Sequence, residues 1–112
     1  MEKLVRDKIP EIIKQKGEEC VVRVAHSDVE YEKFLLEKLI EEGKELCEAK
    51  DVSHKLEELA DLAEVIRAIC TFYKFDTNTI DHARIEKLEK RGGFDKRIIW
   101  KDTVGYYKNK EK

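Results

Sequence analysis

The stretch "HKLEELADLAEVIRAICTFY", His54–Tyr73, decides the fold. Its apolar residues recur at helical spacing, about 100° per residue. One stripe holds Leu59, Ala63, Ile66, Cys70 and Tyr73, and a second holds Leu62, Val65, Ile69 and Phe72. Glu57, Glu64, Arg67, Thr71 and Lys74 fill the polar sector between them. Two apolar stripes are more than a helix on a small monomer needs, so one is expected to face the core and the other a partner subunit. Glu58 falls within the second stripe and Asp61 at its margin, three residues on and on the same face.

The preceding segment repeats the oddity. From Ser27 or Asp28 as a cap, a helix is expected from Glu30 or Tyr31 to about Ala49, with Leu35, Leu39 and Leu46 as its stripe. Glu42 sits in the middle of that stripe and Glu45 at its edge. In a chain this rich in Glu, acids spaced three apart ordinarily mark a solvated face. Four carboxylates converging inside a bundle would instead repel one another and resist ionisation unless cations lay between them. Oxygen-only ligands suit hard ions such as Mg²⁺ or Mn²⁺. Patterning alone leaves both readings open.

Outward from these helices the signals are shorter. "MEKLVRDKIPEIIKQKG" has the only proline, Pro10, and a helix is expected from about Ile9 to Lys16 with Gly17 ending it. "CVVRVAH", Cys20–His26, reads as a strand. Ser53 is the expected cap of the His54–Tyr73 helix, and Asp76 or Thr77 that of a helix from about Thr79 to Lys90. "RIIW", Arg97–Trp100, reads as a second short strand after the Gly92-Gly93 turn. The fold class expected is all-α, a helical bundle with two short accessory strands, as one domain over residues 1–112 with a frayed tail from about 103.

Composition narrows the function classes. Of 112 residues, 43% are charged, and the net charge is -2, which argues against a dedicated nucleic-acid binder and for no stable nucleic-acid partner. Hydrophobic residues at 41% with clear periodicity argue against disorder. No apolar run reaches membrane-spanning length and no signal-like segment follows Met1, so no membrane partner and a cytoplasmic location are expected. Cys20, Cys47 and Cys70 are odd in number and far apart, and read as buried thiols in a reducing compartment. His26, His54 and His82 show no metal-ligand spacing.

"EEGKE" (Glu41–Glu45) followed by "ELAD" (Glu58–Asp61) resembles the EExxE…ExxD motif of the all-α nucleoside triphosphate pyrophosphohydrolases, the MazG-like proteins. "KLVRDKIPEII" (Lys3–Ile13) and "KRGGF" (Lys90–Phe94) resemble the opening and closing signatures of a small single-domain branch, so the likeness covers about Lys3 to Trp100. The resemblance implies a four-helix-type unit assembling as a homodimer or homotetramer. It implies Mg²⁺-dependent cleavage of a nucleoside triphosphate between its α and β phosphates, as in clearance of surplus or aberrant nucleotides. By position Glu42, Glu45, Glu58 and Asp61 match the metal ligands, and Glu41 matches the first acid of the motif, though helical rotation turns it from Glu42. Glu45, at the stripe edge, is placed to activate water. Lys38, Lys87, Lys90, Arg91 and Arg97 are the candidate phosphate-holding cations, with Arg6 and Lys8 of the opening signature behind them. Hydrolysis of phosphoribosyl-ATP and a non-catalytic helical interaction protein are the competing readings. Against the latter, a scaffold would gain by replacing Glu42 and Glu58 with apolar residues.

Overall fold

The computed structural model describes residues 1–101, in which four helices form and no strand does. Helix α1, Ile9–Gln15, has Pro10 in its first turn, where its missing N–H is no loss. It ends on Gly17, whose positive φ of 83° closes the turn. There the Gly17 N–H donates to the Lys14 carbonyl at 3.0 Å and the Glu18 N–H to that of Ile13 at 3.2 Å.

Helix α2, Asp28–Glu48, is capped by Ser27, whose hydroxyl accepts from the Glu30 N–H at 3.2 Å. The Glu30 carboxylate reaches back to the His26 N–H at 2.7 Å, so donors at the helix start are satisfied from both directions. Helix α3, Val52–Tyr73, begins earlier than expected. Asp51, not Ser53, is its cap, accepting from the His54 N–H at 2.8 Å. Only Ala49–Asp51 separates α2 from α3, and so short a link favours antiparallel neighbours. Lys55 donates back across it to the Leu46 and Ala49 carbonyls, at 3.1 and 2.7 Å, satisfying orphan acceptors at the α2 end. At the far end of the pair Tyr31 meets Phe72 edge-on, with ring centroids 5.7 Å apart, and the Tyr73 hydroxyl donates to Glu32.

Between these ends lie Leu35 and Val65, the buried hydrophobic residues among those described, and Glu42, the one buried charged residue. The second stripe of α3 is therefore the packed one: Leu62, Ile69 and Phe72 are half-buried beside Val65. The first stripe stays in solvent, with Leu59, Ile66 and Tyr73 exposed. Helix α2 likewise leaves Val29, Leu36 and Ile40 exposed on one face, with Cys47 one turn-pair beyond. Cys20 is exposed as well and Cys70 half-buried, so the expectation of buried thiols fails at the first two positions.

The two accessory strands are not present among the described residues. A β-branched segment becomes a strand only when another backbone supplies its ladder. Val21, Val22 and Val24 are instead exposed, and the segment is held by Arg23, which donates to both Glu30 oxygens at 2.9 Å and to Glu2 at 2.8 and 3.1 Å. Ile98, Ile99 and Trp100 are exposed too, following Arg97 at a φ of 60°.

The chain divides into two compact units, the first Met1–Lys74 and the second from Phe75 on. The second contains α4, Thr77–Arg91, capped by Asp76, which accepts from the Thr79 N–H at 2.8 Å and the Thr79 hydroxyl at 2.9 Å. Gly92, with φ of 78°, ends α4, its N–H donating to the Leu88 carbonyl at 2.9 Å. The glycine pair thus stops a helix. The tail expected to fray from about 103 lies outside the described residues. Among those described, no helix is long and apolar enough to cross a membrane.

Candidate metal centre

The antiparallel pairing of α2 with α3 brings the acids of the two helices together. Oxygens of Glu42, Glu58 and Asp61 lie within 4.8 Å of one another, and so do those of Glu41, Glu42 and Glu45. Glu42 belongs to both groups and is their hinge. Glu41 joins its group despite a rotation that turns its Cα–Cβ direction from Glu42, because a Glu side chain is long enough to swing back. Opposed oxygens around a hard cation stand about 4–5 Å apart, so either group can close on one ion.

Burial separates this arrangement from a solvated acidic face. The Glu42 side chain retains 8% of its exposure, and its Oε2 has no hydrogen-bond partner. The Glu58 Oε2 is buried and unpartnered in the same way. A buried carboxylate oxygen without a donor costs about 1–3 kcal/mol or more, so two of them in one acid group call for a compensating charge. Carboxylate-only donors are the set hard cations take, and the residues present fit such an ion.

Electrostatics agree with that geometry. Burial pushes the Glu42 carboxyl above its ordinary range, and the neighbouring Glu45 pushes it further, against the pull of Lys38. Lys38 donates to Glu41 at 2.9 Å and stands 3.4 Å from Glu42. Burial lowers the Lys38 pKa, yet Glu41 and Glu42 more than offset this and hold it above the ordinary lysine value. Lys38 is therefore a fixed counter-charge to the acids, in addition to the phosphate role expected for it.

Arg6 is brought to the site as well. Its Nη2 donates to the Asp61 Oδ1 at 2.7 Å, from the segment before α1. Lys3, which sequence reasoning passed over, stands 4.0 Å from Glu41, and its only signal was membership of the same opening signature. Lys8 lines a surface cleft of about 410 Å³ that also includes Arg6, Arg67 and Tyr31. Lys87, Lys90, Arg91 and Arg97 belong to the second unit, where Lys90 pairs with Glu86 at 3.0 Å. Phe94 and Trp100 are exposed in that unit.

The site is thus a carboxylate cluster on an antiparallel helical pair, with Glu42 buried, Glu41, Glu58 and Asp61 half-buried and Glu45 exposed. No family model, curated protein or solved structure matches the chain.

Proposed function

We propose that this protein is a Mg²⁺- or Mn²⁺-dependent nucleotide pyrophosphohydrolase, cleaving a nucleoside triphosphate between the α and β phosphates to give the monophosphate and pyrophosphate. The observation that carries the reading is the pair of buried, unpartnered oxygens on Glu42 and Glu58, two acids whose carboxylates approach within 4.8 Å from different helices. The motif resemblance of Glu41–Glu45 and Glu58–Asp61 supplies the reaction. Glu42, Glu58 and Asp61 hold the ion, with Glu45 and Glu41 extending the set on the α2 side. When bound, the ion supplies neutralisation of the charge that builds on the phosphate oxygens.

The remaining chemistry belongs to the chain. Glu45 is exposed, and its carboxylate accepts a proton from the water that attacks the α-phosphorus. Glu41 is unsuited to that task, because Lys38 and Lys3 both address its Oε2. Lys38 keeps the ionised acids together before substrate arrives. The active form is a homodimer or homotetramer. Leu36 and Ile40 on α2 and Leu59 and Ile66 on α3 are exposed apolar residues on helix faces, which suit burial by a second copy.

The test is a pyrophosphate assay on the purified protein with Mg²⁺, a panel of ordinary and modified nucleoside triphosphates, and phosphoribosyl-ATP. Metal-dependent pyrophosphate that disappears in Glu58→Gln is the expected result. Release of single phosphates would overturn the cleavage position. The absence of product from every substrate would favour the helical interaction protein, which the same exposed apolar faces also suit.

A further inference from the structure

Arg6, like Lys3, comes to the site from outside the helical pair. It occupies the Asp61 Oδ1 at 2.7 Å, and 55 residues separate the two in sequence. Its guanidinium also acts on Glu64, one turn further along α3, although Glu64 is itself held by Arg67 at 2.7 Å. The contact is with a single Asp61 oxygen, not the paired fork that makes an Arg–carboxylate bond strong. The Arg6 side chain keeps 55% of its exposure, whereas that of Lys38 keeps 15%. Lys38 also shares a helix with the acids it serves. Lys38 is thus built in, and Arg6 is placed to leave.

We propose that Arg6 is a counter-ion latch: it holds Asp61 while the Glu42–Glu58–Asp61 group is metal-free, is displaced when a divalent cation enters, and then serves the anion that the cation recruits. The inference rests on the metal reading of this acid group. A dication bound among the three carboxylates repels a guanidinium hydrogen-bonded to one of them, and it removes the charge that drew Arg6 there. Once released, the guanidinium borders the cleft that also contains Lys8 and Arg67. Asp7 and Glu64 line it too, with Glu64 engaging Arg67, so Arg6 and Lys8 are the cations it offers a polyphosphate whose other oxygens lie at the acid group, and a planar guanidinium recognises phosphate oxygens in pairs. Arg6 is therefore a positioning residue before metal arrives and an anion ligand afterwards.

The test is Mn²⁺ binding to the full chain by titration calorimetry, for the parent, Arg6→Ala and Arg6→Gln. Both variants drop the charge, and the second keeps most of the stem should the first fail to fold. An exposed ion pair is worth little, so the expected gain in Mn²⁺ affinity is about two- to fivefold, larger at low salt. At saturating Mn²⁺, inorganic tripolyphosphate should bind the variants more weakly than the parent by a similar factor. Unchanged or weaker Mn²⁺ binding in both variants overturns the latch, since a residue that only orients Asp61 would lower metal affinity when lost. Unchanged tripolyphosphate affinity overturns the second half of the proposal. If the parent binds no Mn²⁺ at all, the metal reading itself falls, which the parent titration shows separately from the variants.

Discussion

Replacing Glu42 by glutamine should stabilise the metal-free protein and abolish its response to metal. Glu42 is buried, with 8% of its side-chain exposure left, has one unpartnered oxygen and has other carboxylates within 4.8 Å on both sides. Glutamine removes the charge at nearly constant volume and keeps an oxygen for Lys38, 3.4 Å away. The desolvation penalty of such a group is about 1–3 kcal/mol. Lys38 already offsets part of it, so the gain should be about 1 kcal/mol, or ~4–8 °C in Tm for a folding unit of this size. The pH dependence has a definite sign. The folded-state pKa of Glu42 lies above its unfolded value of 4.5, so the carboxyl costs nothing below that value and destabilises progressively as pH rises through the folded pKa. Parent and variant should therefore melt together near pH 4 and separate towards neutrality. With Mn²⁺ at a hundred times its Kd the order should reverse, because binding adds about 2.7 kcal/mol to the parent alone. The assay is a calorimetric melt in chelator and in Mn²⁺ over a pH series. A variant less stable than the parent in chelator at neutral pH would refute the reasoning. So would equal metal responses.

Other outcomes follow from the same contacts. Leu35, 2% exposed, should lose about 2–5 kcal/mol on Leu35→Ala, read from urea melts, as a cavity opens between α2 and α3. Hydrogen bonds from Arg23 and from the His26 N–H bring Glu30 from its ordinary 4.5 down to about 2. Its contribution is then present above pH 4.5 and is lost as pH falls towards 2. Arg23→Gln should flatten that limb of the acid-unfolding curve, and an unaltered limb would count against the Arg23 clasp. Sedimentation velocity should give a dimer or tetramer for the parent and a smaller species for the pair Ile40→Lys with Ile66→Lys, whereas a monomeric parent would sink the proposed assembly.

Sequence periodicity located the helices because capping and helical spacing are local. Ser27 and Asp76 lie where an acceptor precedes the apolar pattern, and both cap. Asp51 was missed because Ser53, two residues on, offers an equally suitable oxygen, and the choice depends on Asp51 also pairing with His54 at 2.9 Å. Glu42 and Glu58 were legible as acids on buried stripes, since rotation about a helix axis is fixed by residue number. Which α3 stripe would face α2 was not legible, because both are apolar and the selection is made by the partner helix. Strand content failed for a related reason: valine-rich segments favour extended backbone, but a ladder depends on a second segment that no local signal guarantees. The Arg6–Asp61 bond spans 55 residues and leaves no periodic trace in the sequence.

The measurement that bears most directly on the site is anomalous diffraction from crystals grown with Mn²⁺. The acid cluster predicts a peak directly bonded to oxygens of Glu42, Glu58 and Asp61. Density showing no ion there, with the Glu42 and Glu58 Oε2 atoms instead accepting hydrogen bonds from a neighbouring subunit or from water, would contradict it.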